Sequence, residues 1–318
     1  RIDVILDEYT PDAGCVNTVQ NDISGENSYL VKFKGSVSYN DIDVLISPFQ
    51  FELIGSSANK LFAVKAASLN QLQTSLSGKV DYIEQNGVST TQMTADDPEF
   101  ADQWALAATK IPEAWEISKG APDITVAMID SGVSRGHEDL AAADIRQGWD
   151  YVMDTPVEED LLGHGTMTTG IIAATTNNAI GVSGVCWNVA VIPFKVFGED
   201  NGASTSDICS ALYDAADSGA DIINLSLGSS SYSTSEAKAV SYAISKGCIV
   251  VAAAGNESDT SYSYPASYDG VISAAAITRT LVHSYFSNIN NLVDVSAPGS
   301  SVLTTAGNGS GYESVNGT

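Results

Sequence analysis

The spacing of hydrophobic residues divides the chain into two parts that differ in character. In the first part, Tyr29–Lys34 alternates apolar and polar residues and predicts a half-buried strand. Ser68–Leu76 has apolar residues at helical spacing behind a serine cap and predicts a helix. Further strands are predicted over Leu61–Val64 and Val80–Glu84. Strands on both sides of a helix predict a small α+β domain over residues 28–95, after an irregular lead-in over residues 1–27.

From about residue 96, continuous apolar segments alternate with amphipathic ones. The apolar segments predict buried strands, over Ile124–Ile129, Ala190–Val196, Asp221–Leu227 and Cys248–Ala254. The amphipathic segments predict helices, over Thr166–Ala174, Ser206–Ser218 and Ser235–Lys246. Together they predict an α/β fold, a parallel sheet with helices on both faces, over residues 96–318. In such sheets the functional side chains collect at the carboxyl ends of the strands.

Two residues in the second part have the chemistry of a pair that activates a nucleophile. Asp130 follows the strand Ile124–Ile129, and His164 lies between two glycines just before the helix Thr166–Ala174. A serine hydroxyl becomes an effective nucleophile when an imidazole accepts its proton and a carboxylate holds that imidazole in one tautomer. Either residue alone has an ordinary alternative, as a turn acid or as a histidine in a glycine-rich turn. Their order and their positions in the predicted elements together favour catalysis.

The segments Ala127–Gly132 and Gly163–Thr166 resemble those of the subtilisin-like serine proteases, whose triad has the chain order Asp, His, Ser. The resemblance covers roughly residues 28–318. It implies that Asp130 orients His164, that His164 is the general base, and that the nucleophilic serine follows a Gly-Thr pair. Gly317-Thr318 is such a pair, so we expect the serine directly after it, in a C-terminal remainder beyond this sequence.

The same resemblance implies residues that bind the substrate and stabilise its reacting carbonyl. Asn256 would donate a hydrogen bond to the carbonyl oxygen as negative charge develops there, and its ordinary alternative is a turn former. Tyr264-Pro265-Ala266 would lie beside the base of the pocket for the residue before the scissile bond. The other implied contacts are a peptide-pairing strand at Ser226, Leu227 and Gly228, a wall of that pocket at Ala253, Ala254 and Gly255, and a second apolar pocket formed by Thr205 and Ile208 with Leu227.

A calcium site is also implied by the resemblance, in the loop that begins at Asn177. The family pattern would use the side chain of Asn178, the carbonyls of Ile180 and Val182, and the carboxylates of Asp97 and Asp139. Oxygen ligands of these kinds are the ones that calcium prefers. The alternative is an asparagine-rich turn that binds nothing.

Residues 28–95 resemble the propeptide of the family, which serves as a folding template and a tethered inhibitor. We expect Thr90–Asp96 to lie extended across the cleft and to pair with Ser226-Leu227-Gly228. The alternative is an accessory domain that stays attached. A propeptide still joined to the chain, together with a nucleophile that is not in it, would be explained by an unprocessed or inactive form.

Composition limits the partners and the cellular location. The net charge of −25, from 39 acidic against 14 basic residues, argues against nucleic acid and anionic membranes as partners. It indicates an acidic soluble surface or, as an alternative, attraction of a basic substrate. No run of about 18 apolar residues predicts a membrane span. The four cysteines lack metal-ligand spacing and are expected to be buried free thiols.

These observations predict a secreted or cell-surface serine endopeptidase, with its signal peptide removed, that acts on peptide or protein substrates. The alternative is a pseudoprotease, which would keep the cleft as a peptide-binding or regulatory module without doing chemistry. The residue that follows Thr318 separates the two, since a serine there supports the enzyme.

Overall fold

The computed structural model describes residues 27–55, 57–87, 94–157, 159–198 and 200–318. The chain divides into two compact units, with the boundary between Thr91 and Gln92. The boundary that we predicted from the sequence lies a few residues later, at 95/96. The predicted lead-in over residues 1–27 falls, except for Asn27, outside the described residues.

The first unit is a four-stranded antiparallel sheet with two helices in its described residues. Its elements are β1 Ser28–Phe33, α1 Tyr39–Ile46, β2 Gln50–Leu53, β3 Leu61–Lys65, α2 Leu69–Ser75 and β4 Val80–Gln85. The strand order is β2-β3-β1-β4. The alternation in β1 buries Val31 and Phe33 against Ile42, Ile46 and Leu72 of the two helices. The predicted α+β unit is confirmed, whereas α1 and β2 were not predicted.

The second unit is built around a large sheet. Its strands, as described, are β5 Gly120–Asp130, β6 Asp144–Ile145, β7 Trp149–Asp150, β8 Thr155–Pro156, β9 Asn188–Lys195, β10 Ile222–Leu225, β11 Ile249–Ala253, β12 Ile272–Ile277 and β13 Val295–Pro298. Their order is β13-β12-β11-β10-β5-β9-β7-β8, and β6 also pairs with β9. The pairs along the path from β13 to β7 are parallel. A separate antiparallel pair consists of β14 Val302–Thr305 and β15 Tyr312–Val315.

Helices cover both faces of this sheet. They are α3 Trp104–Ala108, α4 Ile111–Ala114, α5 His164–Ala173, α6 Thr205–Asp217 and α7 Thr234–Ser245. Successive residues of a strand point to opposite faces. Accordingly, Ala127 and Ile129 of β5 belong to the core shared with α6 and α7, and Val126 and Met128 belong to the core that includes Ala173 of α5. The predicted α/β fold is confirmed.

The strand ends set the position of the candidate chemistry. Asp130 is the last residue of β5, Ser226 follows β10, and Asn256 comes shortly after β11. Because β5, β10 and β11 are consecutive in the sheet and parallel, their carboxyl ends lie side by side. This edge of the sheet is therefore where the predicted residues can meet.

Two findings concern sequence features outside this edge. Within the described part of the chain, no helix is long and apolar enough to cross a membrane. Cys186, Cys209 and Cys248 are free thiols, and burial raises the pKa of each. Cys15 falls outside the described residues.

Candidate active site

The predicted pair of Asp130 and His164 is assembled at the end of β5. Nδ1 of His164 lies 2.7 Å from Oδ1 of Asp130. The Asp130 side chain is 1% exposed, and the backbone N–H of Ser131 donates to the same carboxylate oxygen at 2.7 Å. The hydroxyl of Thr168, one helical turn after His164, donates to the other oxygen at 3.3 Å. The carboxylate is therefore fixed, and it fixes the imidazole in turn.

The start of α5 places His164 at this edge. The carboxylate of Asp160 accepts hydrogen bonds from the backbone N–H groups of Gly163 and Thr166, both at 2.8 Å, and so caps the free donors of the first turn. A side chain at Gly165 would begin 2.1 Å from the carbonyl oxygen of Gly132, so only glycine allows the helix to approach β5 this closely. The close approach of α5 to β5 therefore requires the glycine that follows the histidine.

The surroundings of His164 favour its charged form. The hydrogen bond to Asp130 raises the pKa of the imidazole above its ordinary value, partial burial acts in the opposite direction, and the charges of Asp130 and Asp160 add to the rise. The ring remains accessible, since 46% of the side chain is exposed. An exposed imidazole with a raised pKa and a buried carboxylate behind it is suited to accept a proton from a neighbouring hydroxyl.

Asn256 lies in the same cleft as His164. The cleft has a volume of about 290 Å³ and is also lined by Gly317 and Thr318. The backbone N–H of Thr318 donates to Oδ1 of Asn256 at 3.1 Å, and the hydroxyl of Thr318 accepts from the N–H of Gly255 at 3.2 Å. With its oxygen engaged in this way, the amide group of Asn256 is left to donate toward the cleft.

The substrate residues predicted from the sequence divide between this cleft and a neighbouring pocket. Five of them line the cleft together with Asn256, namely Ser226, Leu227, Gly228, Ala253 and Gly255. Ala254 does not, because it is buried and its N–H pairs with Ala274. Thr205 and Ile208 line the neighbouring pocket, and Leu227 and Gly228 line both. Tyr264, predicted beside the base of the first pocket, also lines the second one.

Several lining residues had no signal in the sequence. Phe197, Asn201, Glu257, Ser263 and Asn316 line the cleft. They come from loops that follow different strands. Only the fold brings them close together, so their proximity could not be inferred from local spacing.

Comparison with known proteins decides the family. The sequence profile of the peptidase group described as the subtilase family matches residues 121–318, which is more than half of the chain. The chain belongs to the subtilase family. The matched region contains His164 and Asn256, which line one cleft, and Asp130, which is buried behind His164.

Individual relatives agree with this assignment. The subtilase chain is 36% identical over 294 residues to the thermophilic serine proteinase of Bacillus sp. (strain AK1), covering 92% of this chain and 70% of the relative. It is also 36% identical over 247 residues to the halolysin-like extracellular serine protease Nep of Natrialba magadii, covering 75% of this chain and 45% of that relative. A solved protease structure from Pseudoalteromonas arctica PAMC 21717 matches with a TM-score of 0.63 at 31% identity, over 71% of this chain and 82% of that one.

The subtilase loop predicted to hold calcium gathers the expected residues. Both oxygens of Asp97 accept backbone N–H bonds, from Asn177 at 2.9 Å and Asn178 at 3.0 Å. Asp139 accepts from the N–H of Val182 at 2.8 Å and from the side-chain amide of Asn178 at 2.9 Å. Burial raises the pKa of Asp139, the N–H of Val182 and the amide of Asn178 lower it, and the nearby charge of Asp97 raises it further.

The chemical types of these donors fit a calcium ion, and each oxygen of Asp97 and Asp139 also accepts a hydrogen bond from the protein. Asp97 and Asp139 are both buried, and no ion pair among the described residues joins either of them to a cation. The carbonyls of Ile180 and Val182 accept no hydrogen bond from any described residue. Two neighbouring buried carboxylates and free carbonyl oxygens are what an oxygen-preferring cation requires. The predicted roles of these residues nevertheless stay predictions.

The other histidines have different environments. His137 is fully buried: its Nδ1 accepts from the N–H of Asp139 at 3.1 Å, so Nε2 carries the proton and donates to the carbonyl of Gly311 at 2.8 Å. Nε2 of His283 lies 2.9 Å from the carbonyl of Ser287, at an exposed position. Neither residue lines the cleft.

The predicted pairing of Thr90–Asp96 with Ser226-Leu227-Gly228 involves mostly residues outside the described part, since residues 88–93 are not described. Of the remainder, Thr94 lines a separate pocket with Phe100 and Trp104. Asp96 accepts a 2.9 Å hydrogen bond from the N–H of Ala179. The described end of the segment is thus held at the loop of Asn178 and not at the pairing strand.

Proposed function

We propose that this subtilase is a serine endopeptidase whose triad consists of Asp130, His164 and a serine that directly follows Thr318. The observation that carries the proposal is the hydrogen-bonded pair of Asp130 and His164, which opens on the cleft lined by Asn256 and Thr318. A residue joined to the carboxyl group of Thr318 would enter this cleft beside the imidazole.

The mechanism follows from these positions. As the serine oxygen attacks the scissile carbonyl carbon, its proton passes to Nε2 of His164, and Asp130 stabilises the resulting imidazolium. The carbonyl oxygen becomes negatively charged, and the amide group of Asn256 donates a hydrogen bond to it. Collapse breaks the C–N bond, and His164 returns its proton to the leaving amine. Water then repeats the sequence on the acyl-enzyme and releases the acid.

Substrate binding is assigned to the cleft walls. An extended peptide would pair with Ser226-Leu227-Gly228, because sheet-edge backbone groups give affinity without selecting a sequence. The small residues Ala253 and Gly255 leave room for the side chain before the scissile bond. Ala254, although predicted as part of this wall, supports it from the buried side.

A calcium ion is proposed for the loop of Asn178. The carboxylates of Asp97 and Asp139, the side chain of Asn178 and the carbonyls of Ile180 and Val182 would hold it. When bound, the ion would neutralise two buried carboxylates and so stabilise the folded unit. No catalytic step requires it.

The first unit is proposed to be a propeptide that acts as a tethered inhibitor until it is released. It has its own sheet and its own core, as a separately folding inhibitor requires. Secretion is proposed because one relative is named an extracellular serine protease. A signal peptide removed before maturation would complete this route.

The test is hydrolysis of an internally quenched peptide by the full-length protein. We expect His164→Ala to lower the turnover number on the order of 10⁶-fold, the loss known for the general base of subtilisin, a member of the same family. His283→Ala is the matched control, since it removes an exposed imidazole outside the cleft. Full activity of His164→Ala would refute the assignment, and a wild-type protein that binds peptides without cleaving them would establish the pseudoprotease.

A further inference from the structure

A second pocket opens next to the catalytic cleft and is not apolar throughout. Its volume is about 350 Å³, and it shares Phe197, Asn201, Leu227 and Gly228 with the cleft as lining residues. A peptide bound along Ser226-Leu227-Gly228 would therefore pass both cavities. The side that faces away from the cleft includes Tyr232 and Glu236.

Glu236 is an unusual residue for such a position. It is 4% exposed and yet belongs to the pocket lining. Its Oε2 accepts a 2.8 Å hydrogen bond from the hydroxyl of Tyr268, and no other side-chain hydrogen bond or ion pair of Glu236 is found among the described residues. Oε1 thus has no hydrogen-bond partner among the described residues, and Glu236 borders a cavity.

Helix capping does not account for this carboxylate. Ser233 and Glu236 have the spacing of a capping box, in which the acid would accept the N–H of Ser233. Ser233 makes its part of the capping box, since its hydroxyl accepts a hydrogen bond from the N–H of Glu236 at 3.3 Å. However, the N–H of Ser233 donates to the hydroxyl of Tyr268 at 3.0 Å. The hydroxyl of Tyr268 therefore accepts the N–H that the glutamate would accept in a capping box. The carboxylate of Glu236 is not used for capping, and Glu236 lines the pocket.

Burial of this carboxylate without a positive partner is unfavourable. Burial raises the pKa of Glu236, and the hydrogen bond from Tyr268 opposes that rise only in part. A cation entering the pocket would supply the missing charge and hydrogen-bond donors. The aromatic rings of Tyr232 and Tyr264, which lie 5.4 Å apart edge to face, also line the pocket and can contact the cation and its aliphatic stem.

We propose that this pocket is a substrate subsite for a lysine or arginine side chain, with Glu236 as its specificity-determining residue. The proposal rests on the proposed function, because it assumes that a peptide occupies the adjoining cleft. It replaces the expectation that Thr205, Ile208 and Leu227 form a wholly apolar pocket. The net charge of −25 also favours basic substrates, since it raises the concentration of basic peptides near the protein surface.

The experiment compares pairs of internally quenched peptides that differ only by lysine or norleucine at one position. Each position on either side of a fixed scissile bond is scanned with the full-length protein. At one position not adjacent to that bond, we expect lysine to raise kcat/KM about tenfold or more, as a charge-assisted hydrogen bond allows. Glu236→Gln should reduce this ratio to about twofold or less, because glutamine keeps an acceptor for Tyr268 but removes the negative charge that would bind lysine.

The matched control is Asp207→Asn, which removes one negative charge from the first turn of the adjacent helix α6 without changing the pocket lining. It should keep the lysine preference. Equal rates for lysine and norleucine at every position, or a preference that survives Glu236→Gln, would overturn the subsite while leaving the peptidase intact. A loss of preference in Asp207→Asn as large as in Glu236→Gln would assign it to overall charge. Failure to cleave any peptide would overturn the proposed function and the subsite with it.

Discussion

The buried carboxylate of Asp130 holds the half-exposed imidazole of His164 across 2.7 Å. The two groups differ in their access to solvent, with 1% of the aspartate side chain and 46% of the histidine side chain exposed. The carboxylate is therefore shielded from competing water, while the far nitrogen of the ring can reach the hydroxyl of a serine in the cleft.

Asp130→Asn should slow turnover on the order of 10⁴-fold, because an amide cannot hold the imidazole in the required tautomer. It should also lower the pH midpoint of kcat/KM. The base acts in its neutral form, so activity rises with pH through the pKa of His164, and Asp130 raises that pKa. The measurement is the pH profile of peptide hydrolysis. Asp144→Asn, an exposed carboxylate paired with Arg146, should change neither quantity. If the pH midpoint of Asp130→Asn equals that of the wild type, Asp130 does not raise the pKa of His164.

Calcium removal should lower the Tm of the second unit. An ion at about 100 times its dissociation constant stabilises by about 2.7 kcal/mol, or roughly 5–10 °C for a unit of this size. Asp139→Ala should remove most of the difference between melting curves with calcium and with chelator. Glu116→Ala, which removes an exposed acid, should retain the difference between the two melting curves. Superimposable wild-type curves under the two conditions would rule out the site.

Glu236→Gln should make the protein more stable at neutral pH. Burial raises the pKa of Glu236, so over the range between its unfolded and folded values the folded state binds more protons, and stability falls as pH rises. Removing the carboxyl removes that loss. The gain in Tm over wild type should be small near pH 4 and larger near pH 8, as followed by thermal denaturation. A gain that is the same at both pH values would mean that the carboxyl bears no buried charge.

The released first unit should inhibit the protease. A fragment of residues 1–94 should act competitively at micromolar concentration on enzyme freed of its own propeptide. The control is the same fragment with Phe33→Asp, which places a charge in its core and should abolish both its fold and its inhibition. Circular dichroism distinguishes the two forms. A folded fragment without inhibition would identify an accessory domain instead.

The sequence was most informative where patterns are local. The apolar runs of β5, β9, β10 and β11 predicted a parallel sheet because both faces of these strands are buried. Their ends predicted the positions of Asp130 and Asn256. Helix α1 was missed because it is short and carries two acids in a mostly solvent-facing pattern. The edge strand β13 was missed because it ends in a proline and is largely exposed.

The second pocket shows what local patterns cannot supply. Glu236 reads as an ordinary helix-capping acid in the sequence, three residues after Ser233. Its release from that role depends on Tyr268, which is distant in the chain and brought near only by the fold. Cleft residues such as Asn201 and Glu257 come from separate loops in the same way. A single sequence contains no signal for such contacts between residues that are distant in the chain.

We propose above that His164 activates a serine joined to Thr318. The most direct measurement is peptide mapping by mass spectrometry after the full-length protein reacts with diisopropyl fluorophosphate, in which the serine oxygen bonds to phosphorus, fluoride leaves and the proton passes to His164. We predict one adduct, on the residue that follows Thr318, and its loss in His164→Ala but not in His283→Ala. An unmodified residue at that position, or labelling that is unaffected by His164→Ala, would contradict the account.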